Sequence, residues 1–91
     1  MLGQDTVTTN YADMNIAQLA RVIRLDWGHK VNFGAVPYLA AMFTLYTLDD
    51  EYGCDSGSSI VAYFLGNAAT WRGPVSKAVK LELNRRLKAC R

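Results

Sequence analysis

The chain has 91 residues, of which 51% are hydrophobic, and its formal net charge at pH 7 is +2. This length predicts one domain, which buries only about 60 to 70% of the surface that the unfolded chain exposes. Two cysteines are too few for a disulfide framework, and the N-terminus lacks the pattern of a signal peptide, so we expect a reduced, cytoplasmic protein.

The near-neutral total conceals two oppositely charged segments. Seven of the ten lysines and arginines lie in the last 21 residues with a single acid, Glu82, which gives that segment a net charge of +6. The first 70 residues carry a net charge of −4. This segregation makes charged surfaces, and the partners they could bind, the main functional feature of the sequence.

The sequence predicts a flexible N-terminal arm over residues 1–12 and a single helical domain over residues 13–91. The first helix is predicted over residues 14–28, where apolar residues recur at helical spacing. Asn15 and Gln18 have the spacing of a capping box, which satisfies backbone donors at the first turn. The apolar face of this helix consists of Ile16, Leu19, Ala20, Ile23 and Trp27.

A second helix is predicted over residues 36–51, with Pro37 in its first turn. Residues 31–48 are uncharged. From Pro37 to the last residue before Asp49, however, there are only 12 residues, which is too short for a membrane span. Almost every side of this helix is apolar, so neighbours must enclose it. It is interpreted as a central core helix, and a seam between two copies in a homodimer is the alternative.

A polar turn with four acids follows the second helix. Its acids form a predicted acidic patch, which consists of Asp49, Asp50, Glu51 and Asp55. No register of this turn matches the pattern of a calcium-binding loop, so no metal site is predicted. Asp55 or Ser56 can cap a third helix over residues 57–72, and Gly73-Pro74 predicts a tight turn into the fourth.

The fourth helix, predicted over residues 74–90, has a basic stripe that covers about 80° of a helical wheel. The stripe consists of Lys77, Lys80, Asn84, Lys88 and Arg91. Arg85 completes the set of candidate binding residues. The opposite half of the helix is apolar and is predicted to face the core with Val75, Ala78, Val79, Leu83, Leu87, Ala89 and Cys90.

Three interpretations of these cations compete. Those in the last turns complement the helix dipole, but Lys77 and Lys80 lie near its positive end. In an up-down bundle the acidic patch lies at the same end as the C-terminus of the fourth helix, so acids and bases could pair within or between chains. A Gly-containing turn before a basic helix also resembles a DNA-binding helix-turn-helix, with Ser76, Lys77 and Lys80 near bases or phosphates.

Residues with catalytic chemistry are sparse. His29 lies in a polar loop with no cysteine or serine beside it to act as a nucleophile. Cys54 and Cys90 lack the spacing of a zinc or redox site. The sequence therefore predicts a protein that is not an enzyme and that has no cofactor.

Three segments, "FGAVPYLAAM", "SIVAYFLGNAATWRG" and "VKLELNRRL", resemble small accessory proteins of actinobacteriophages, of the mycobacteriophage type. The resemblance spans residues 16–87. It implies a protein made in the cytoplasm of an infected bacterium that acts by binding host machinery. It implies no active site.

The predicted fold is therefore an all-α, small four-helix bundle with short loops. The leading functional hypothesis is a non-enzymatic interaction module, a phage factor that binds a host protein through its basic C-terminal helix. The alternative is a nucleic-acid-binding, helix-turn-helix-like protein. A homodimer is a further prediction, and no membrane contact is expected.

Overall fold

The computed structural model describes residues 10–52 and 55–89. Within these residues the chain forms four α-helices, which are α1 (Ile16–Trp27), α2 (Val36–Met42), α3 (Gly57–Gly66) and α4 (Pro74–Ala89). Single 3-10 turns occur at Tyr11–Asp13, Gly28–Lys30 and Phe33–Ala35. Two short strands, β1 (Glu51–Tyr52) and β2 (Asp55–Ser56), pair antiparallel before α3. The predicted all-α fold with four helices is confirmed.

α1 begins as the sequence predicts. The Asn15 side chain accepts a hydrogen bond from the Gln18 amide at 2.7 Å, and the Gln18 side chain accepts one from the Asn15 amide at 2.8 Å. The amides of Ile16 and Ala17 donate to backbone carbonyls of the loop after α2. The first turn of α1 therefore has its free donors satisfied by its own cap and by a distant loop.

α2 is much shorter than predicted, since it ends at Met42 rather than near residue 51. The Asp50 carboxylate accepts hydrogen bonds from the amides of Tyr46 (2.7 Å) and Thr47 (3.1 Å), which replaces helical pairing of that segment. The carbonyls of Leu45 and Tyr46 accept from the start of α1, so they are unavailable for a longer helix. Leu45 and Leu48 are nevertheless buried.

α3 also ends earlier than predicted, at Gly66 instead of residue 72. The Asn67 side chain donates back to the Tyr63 carbonyl at 2.9 Å, and the Asn67 carbonyl accepts from the Asn32 side chain at 3.1 Å. Residues 67–73 therefore form a connection instead of a further helical turn and a half. Ala68 and Trp71 of this connection still reach the core.

The core is centred on three aromatic rings from three different elements. The rings of Trp27 and Trp71 stack with centroids 5.8 Å apart, and Phe64 lies edge-on to both. Trp71 Nε1 donates to the Asp26 carboxylate at 2.8 Å, which satisfies the indole N–H. α4 closes the core with Val79 and Leu83, which are fully buried.

The N-terminal segment begins to be described at Asn10, and residues 1–9 of the predicted arm lie outside the described residues. Tyr11 and Ala12 lie against α4, where Arg86 donates to their carbonyls at 2.9 and 3.2 Å. At the other end of the chain, Cys90 and Arg91 lie outside the described residues. No position is therefore assigned to Arg91 of the basic stripe.

Candidate interaction surface on α4

One side of α4 faces the core and the other faces solvent. Ser76, Val79 and Leu83 are buried against the other helices. The exposed side covers an arc of about 100° on a helical wheel, and we call it the outer face of α4. It consists of Lys77, Leu81, Asn84, Arg85 and Lys88.

Leu81 was missed as a functional candidate in the sequence, although the helical wheel places it among the lysines. Its side chain is 73% exposed, and the cations of the outer face lie on both sides of it along the helix. Protein interfaces combine an apolar centre with a polar, solvent-accessible rim, and Leu81 with its flanking cations has this composition. The predicted core face, in turn, was too wide, because Ala89 is exposed and Ala78 only half-buried.

Lys80 does not belong to the outer face, which corrects its assignment to the basic stripe. Its ammonium group donates to the carbonyls of Ala68 (2.7 Å) and Trp71 (2.8 Å) and lies 5.8 Å from the centre of a Trp71 ring. Burial and the nearby Arg72 lower the pKa of Lys80. Lys80 therefore stabilises the connection between α3 and α4 instead of presenting its charge to a partner.

Glu82 lies beside the outer face and pairs with two arginines. Its carboxylate is 2.6 Å from Arg85 Nη2 and 2.5 Å from Arg86 Nε, and its side chain is only 10% exposed. Hydrogen bonding from Arg85 is the main cause that lowers the pKa of Glu82. Arg85 thus remains exposed with part of its charge compensated, and Arg86 is held against the N-terminal segment.

Lys77 and Lys88 are the cations of the outer face that carry uncompensated charge. Both are exposed, and neither has an ion-pair or hydrogen-bond partner within residues 10–52 and 55–89. Asn84 donates to the Lys80 carbonyl at 2.9 Å and so lies along the helix surface. The outer face is therefore positively charged around one apolar side chain.

The predicted acidic patch is only partly described. Backbone hydrogen bonds from Tyr46 and Thr47 lower the pKa of Asp50, whose carboxylate organises its own loop. Asp49 lines a cavity of about 510 Å³ together with Arg85 and Arg86, so the acidic turn and the end of α4 lie close together. These arginines pair with Glu82. The side chains of Glu51 and Asp55 lie outside the described part of the structure.

A groove runs along α4 beside the N-terminal segment. It encloses about 520 Å³, and Leu81 is one of the residues that line it. The N-terminal segment supplies one wall through residues 10–12. The helix supplies the other wall through Ala78, Leu81, Glu82, Asn84, Arg85 and Lys88.

The helix-turn-helix pattern predicted from the sequence has a different geometry in the structure. Seven residues connect α3 and α4, whereas a helix-turn-helix has a turn of about three or four residues. Ser76 is buried and donates to the Trp71 carbonyl at 2.7 Å, and Lys80 also turns inward. Of the three residues predicted to contact nucleic acid, only Lys77 faces solvent.

Other kinds of site are not evident in the described residues. No group of three or more histidine, cysteine, aspartate or glutamate side chains there could hold a metal ion. Among the described helices, none combines the length and apolar character needed to cross a membrane.

No protein-family model, curated protein or solved structure matches the chain.

Proposed function

We propose that this protein is a non-enzymatic interaction module that binds a partner protein through the outer face of α4. The observation that carries the proposal is the exposed Leu81 among the unpaired cations Lys77 and Lys88. An apolar anchor surrounded by charged residues provides affinity at its centre and orientation at its rim. The buried side of α4 fixes this surface rigidly to the core.

The nature of the partner is part of the proposal. The resemblance to actinobacteriophage accessory proteins supports a host protein in the bacterial cytoplasm. Such a partner would be recognised by surface complementarity, which requires no catalytic group on α4. Binding experiments in an actinobacterial lysate test the host partner and, through it, the phage origin.

Nucleic-acid binding is the second candidate function, and fewer observations support it than support protein binding. Nucleic-acid binding needs several cationic side chains that can each approach a phosphate of the nucleic-acid backbone. On α4, Lys80 donates to backbone carbonyls and Arg85 pairs with Glu82, which leaves Lys77 and Lys88. Leu81 between them would gain little from a phosphate backbone.

A homodimer through α2 also has limited support. α2 has only seven residues, and its buried Leu39, Ala41 and Met42 already contact the core of the same chain. Val36, Pro37 and Ala40 remain exposed on it. These three side chains alone are a small area for a stable interface between subunits.

The proposal is tested by pull-down from an actinobacterial lysate with and without nuclease. We expect the wild-type chain to retain a protein after nuclease treatment and the double variant Lys77→Glu/Lys88→Glu to lose it. Arg21→Glu/Lys30→Glu is the matched control, because it makes the same change in net charge at exposed residues outside α4. Equal losses in both variants, or loss of all captured protein after nuclease, would overturn the proposal.

A further inference from the structure

From the groove beside α4 we infer that the partner presents an acidic amphipathic helix, an inference that rests on the proposed function. The groove provides a concave site of about 520 Å³ between residues 10–12 and α4. Tyr11, Ala78 and Leu81 give it apolar contact surface. An extended groove along a helix suits a second helix laid against it.

The charge of the groove and its surroundings selects an acidic occupant. Lys88 and Arg85 line the groove, and Lys77 lies on the same face one turn before Leu81. The acid of α4, Glu82, is turned towards Arg85 and Arg86 and is almost buried. Carboxylates on the occupant would therefore find uncompensated cations at both ends of the apolar contact, whereas a basic occupant would be repelled.

The spacing along α4 defines the pattern of the occupant. Lys77 and Arg85 lie four residues before and after Leu81, which is about 6 Å in each direction along the axis, and Lys88 lies about 10 Å beyond Leu81. A helix packed alongside would present one apolar residue to Leu81, an acid about one turn away towards Lys77 and a second acid about two turns away towards Lys88. The whole of α4 is 16 residues long, so three or four turns of a partner helix could be accommodated.

The inference is tested with an mRNA-displayed library of 18-residue helical peptides whose exposed positions vary among Glu, Lys, Leu and Asn. The bait is the full chain, and peptides that bind the bare support are removed first. We expect the retained peptides to combine one apolar residue with an acid about one turn away on one side and an acid about two turns away on the other. No enrichment, or enrichment of basic or uncharged peptides, would overturn the inference.

The most enriched peptide is then measured by fluorescence anisotropy. We expect Leu81→Asn and Lys77→Glu/Lys88→Glu each to weaken its binding at least about tenfold, which is the effect of removing a hot-spot residue from an interface. Leu25→Asn is the control, because Leu25 is 79% exposed on α1 and should leave the affinity unchanged. An equal effect of Leu25→Asn would overturn the inference, and circular dichroism confirms that each variant is folded.

Further measurements distinguish an acidic helix from the other possible occupants of the groove. They also distinguish a failure of this inference from a failure of the proposed function. Competition by duplex or single-stranded oligonucleotides that exceeds competition by the unlabelled peptide would assign the face to nucleic acid. A concentration-dependent dimer that Lys77→Glu/Lys88→Glu dissociates would assign it to a second copy of the chain. If the lysate partner depends on Lys77 and Lys88 but acidic peptides are not enriched, the proposed function stands and the inference fails.

Discussion

Lys80 shows how one residue can change role between a helical wheel and a fold. The wheel gives the direction in which a side chain leaves the helix, and it places Lys80 beside Lys77. The long stem of lysine then bends back, and its ammonium group donates to the Ala68 and Trp71 carbonyls in the connection that follows the end of α3 at Gly66. No local pattern around Lys80 indicates that end, so its inward position could not be predicted from the sequence.

We expect Lys80→Met to destabilise the fold. Methionine keeps an apolar stem of similar length but removes the ammonium group that donates to the Ala68 and Trp71 carbonyls. The free energy of unfolding should fall by about 1 to 3 kcal/mol, as for hydrogen bonds made by charged groups. Urea denaturation measures the change, and Lys77→Met is the control, expected to stay within about 0.5 kcal/mol of wild type. Equal changes in the two variants would contradict a specific stabilising role of the Lys80 hydrogen bonds.

Glu82 is expected to make stability depend on pH in the acid range. Its pKa in the folded chain lies below the ordinary value of 4.5, chiefly because Arg85 donates to it. The unfolded chain therefore takes up the proton first as the pH falls. The contribution of Glu82 is full above about pH 4.5 and is lost progressively as the pH falls through the lower pKa of the folded chain.

The variant Glu82→Gln tests this pH dependence. We expect it to be less stable than wild type at pH 7 by about 1 kcal/mol, since solvent screens the pair with the exposed Arg85. The difference should shrink as the pH falls from 5 to about 3, because the wild-type carboxylate becomes protonated. Urea denaturation across this range measures it. A difference that stays constant with pH would show that the loss comes from packing.

At the scale of elements, the starts of helices were more predictable than their ends. The cap of α1 depends on Asn15 and Gln18, which are close in sequence, and α4 starts at the predicted Pro74. The end of α2 depends on Asp50 and on carbonyls that satisfy α1, and the end of α3 depends in part on Asn32. These are contacts between separate segments, and hydrophobic periodicity contains no information about them.

Replacing glycine with alanine is expected to change stability in opposite directions at two positions of α3. At Gly57 an added Cβ would lie 2.9 Å from each of the Leu48 and Thr47 carbonyl oxygens, so Gly57→Ala should lower the free energy of unfolding by about 1 to 3 kcal/mol. At Gly66 nothing lies within 4 Å, so Gly66→Ala should raise it by about 0.4 to 1 kcal/mol.

Thermal and urea unfolding of the two glycine variants gives the comparison directly. The expected outcome is opposite signs, since the same methyl group meets backbone atoms at one end of α3 and open space at the other. Changes of the same sign would contradict the close approach of the loop after α2 to the start of α3.

At the scale of the whole molecule, folding redistributes the charge that the sequence segregates. Glu82 compensates part of the charge of Arg85 and Arg86, and Lys80 turns inward, so the +6 segment presents fewer free cations than its sequence indicates. Of the acidic turn, Asp49 lines a cavity together with these arginines. The amphipathic character of α4 was predictable, but the composition of its exposed side was only partly so.

Two exposed leucines allow the docking surface to be tested by photo-crosslinking. Leu81 is 73% exposed on the outer face of α4, and Leu25 is 79% exposed on α1. A photoreactive residue is introduced as Leu81→benzoylphenylalanine or Leu25→benzoylphenylalanine in the full chain, and each variant is irradiated in a nuclease-treated actinobacterial lysate. We expect a discrete adduct with a protein from position 81, abolished by adding Lys77→Glu/Lys88→Glu, and none from position 25. Equal adducts from both positions, or none from position 81, would contradict the outer face of α4 as the binding surface.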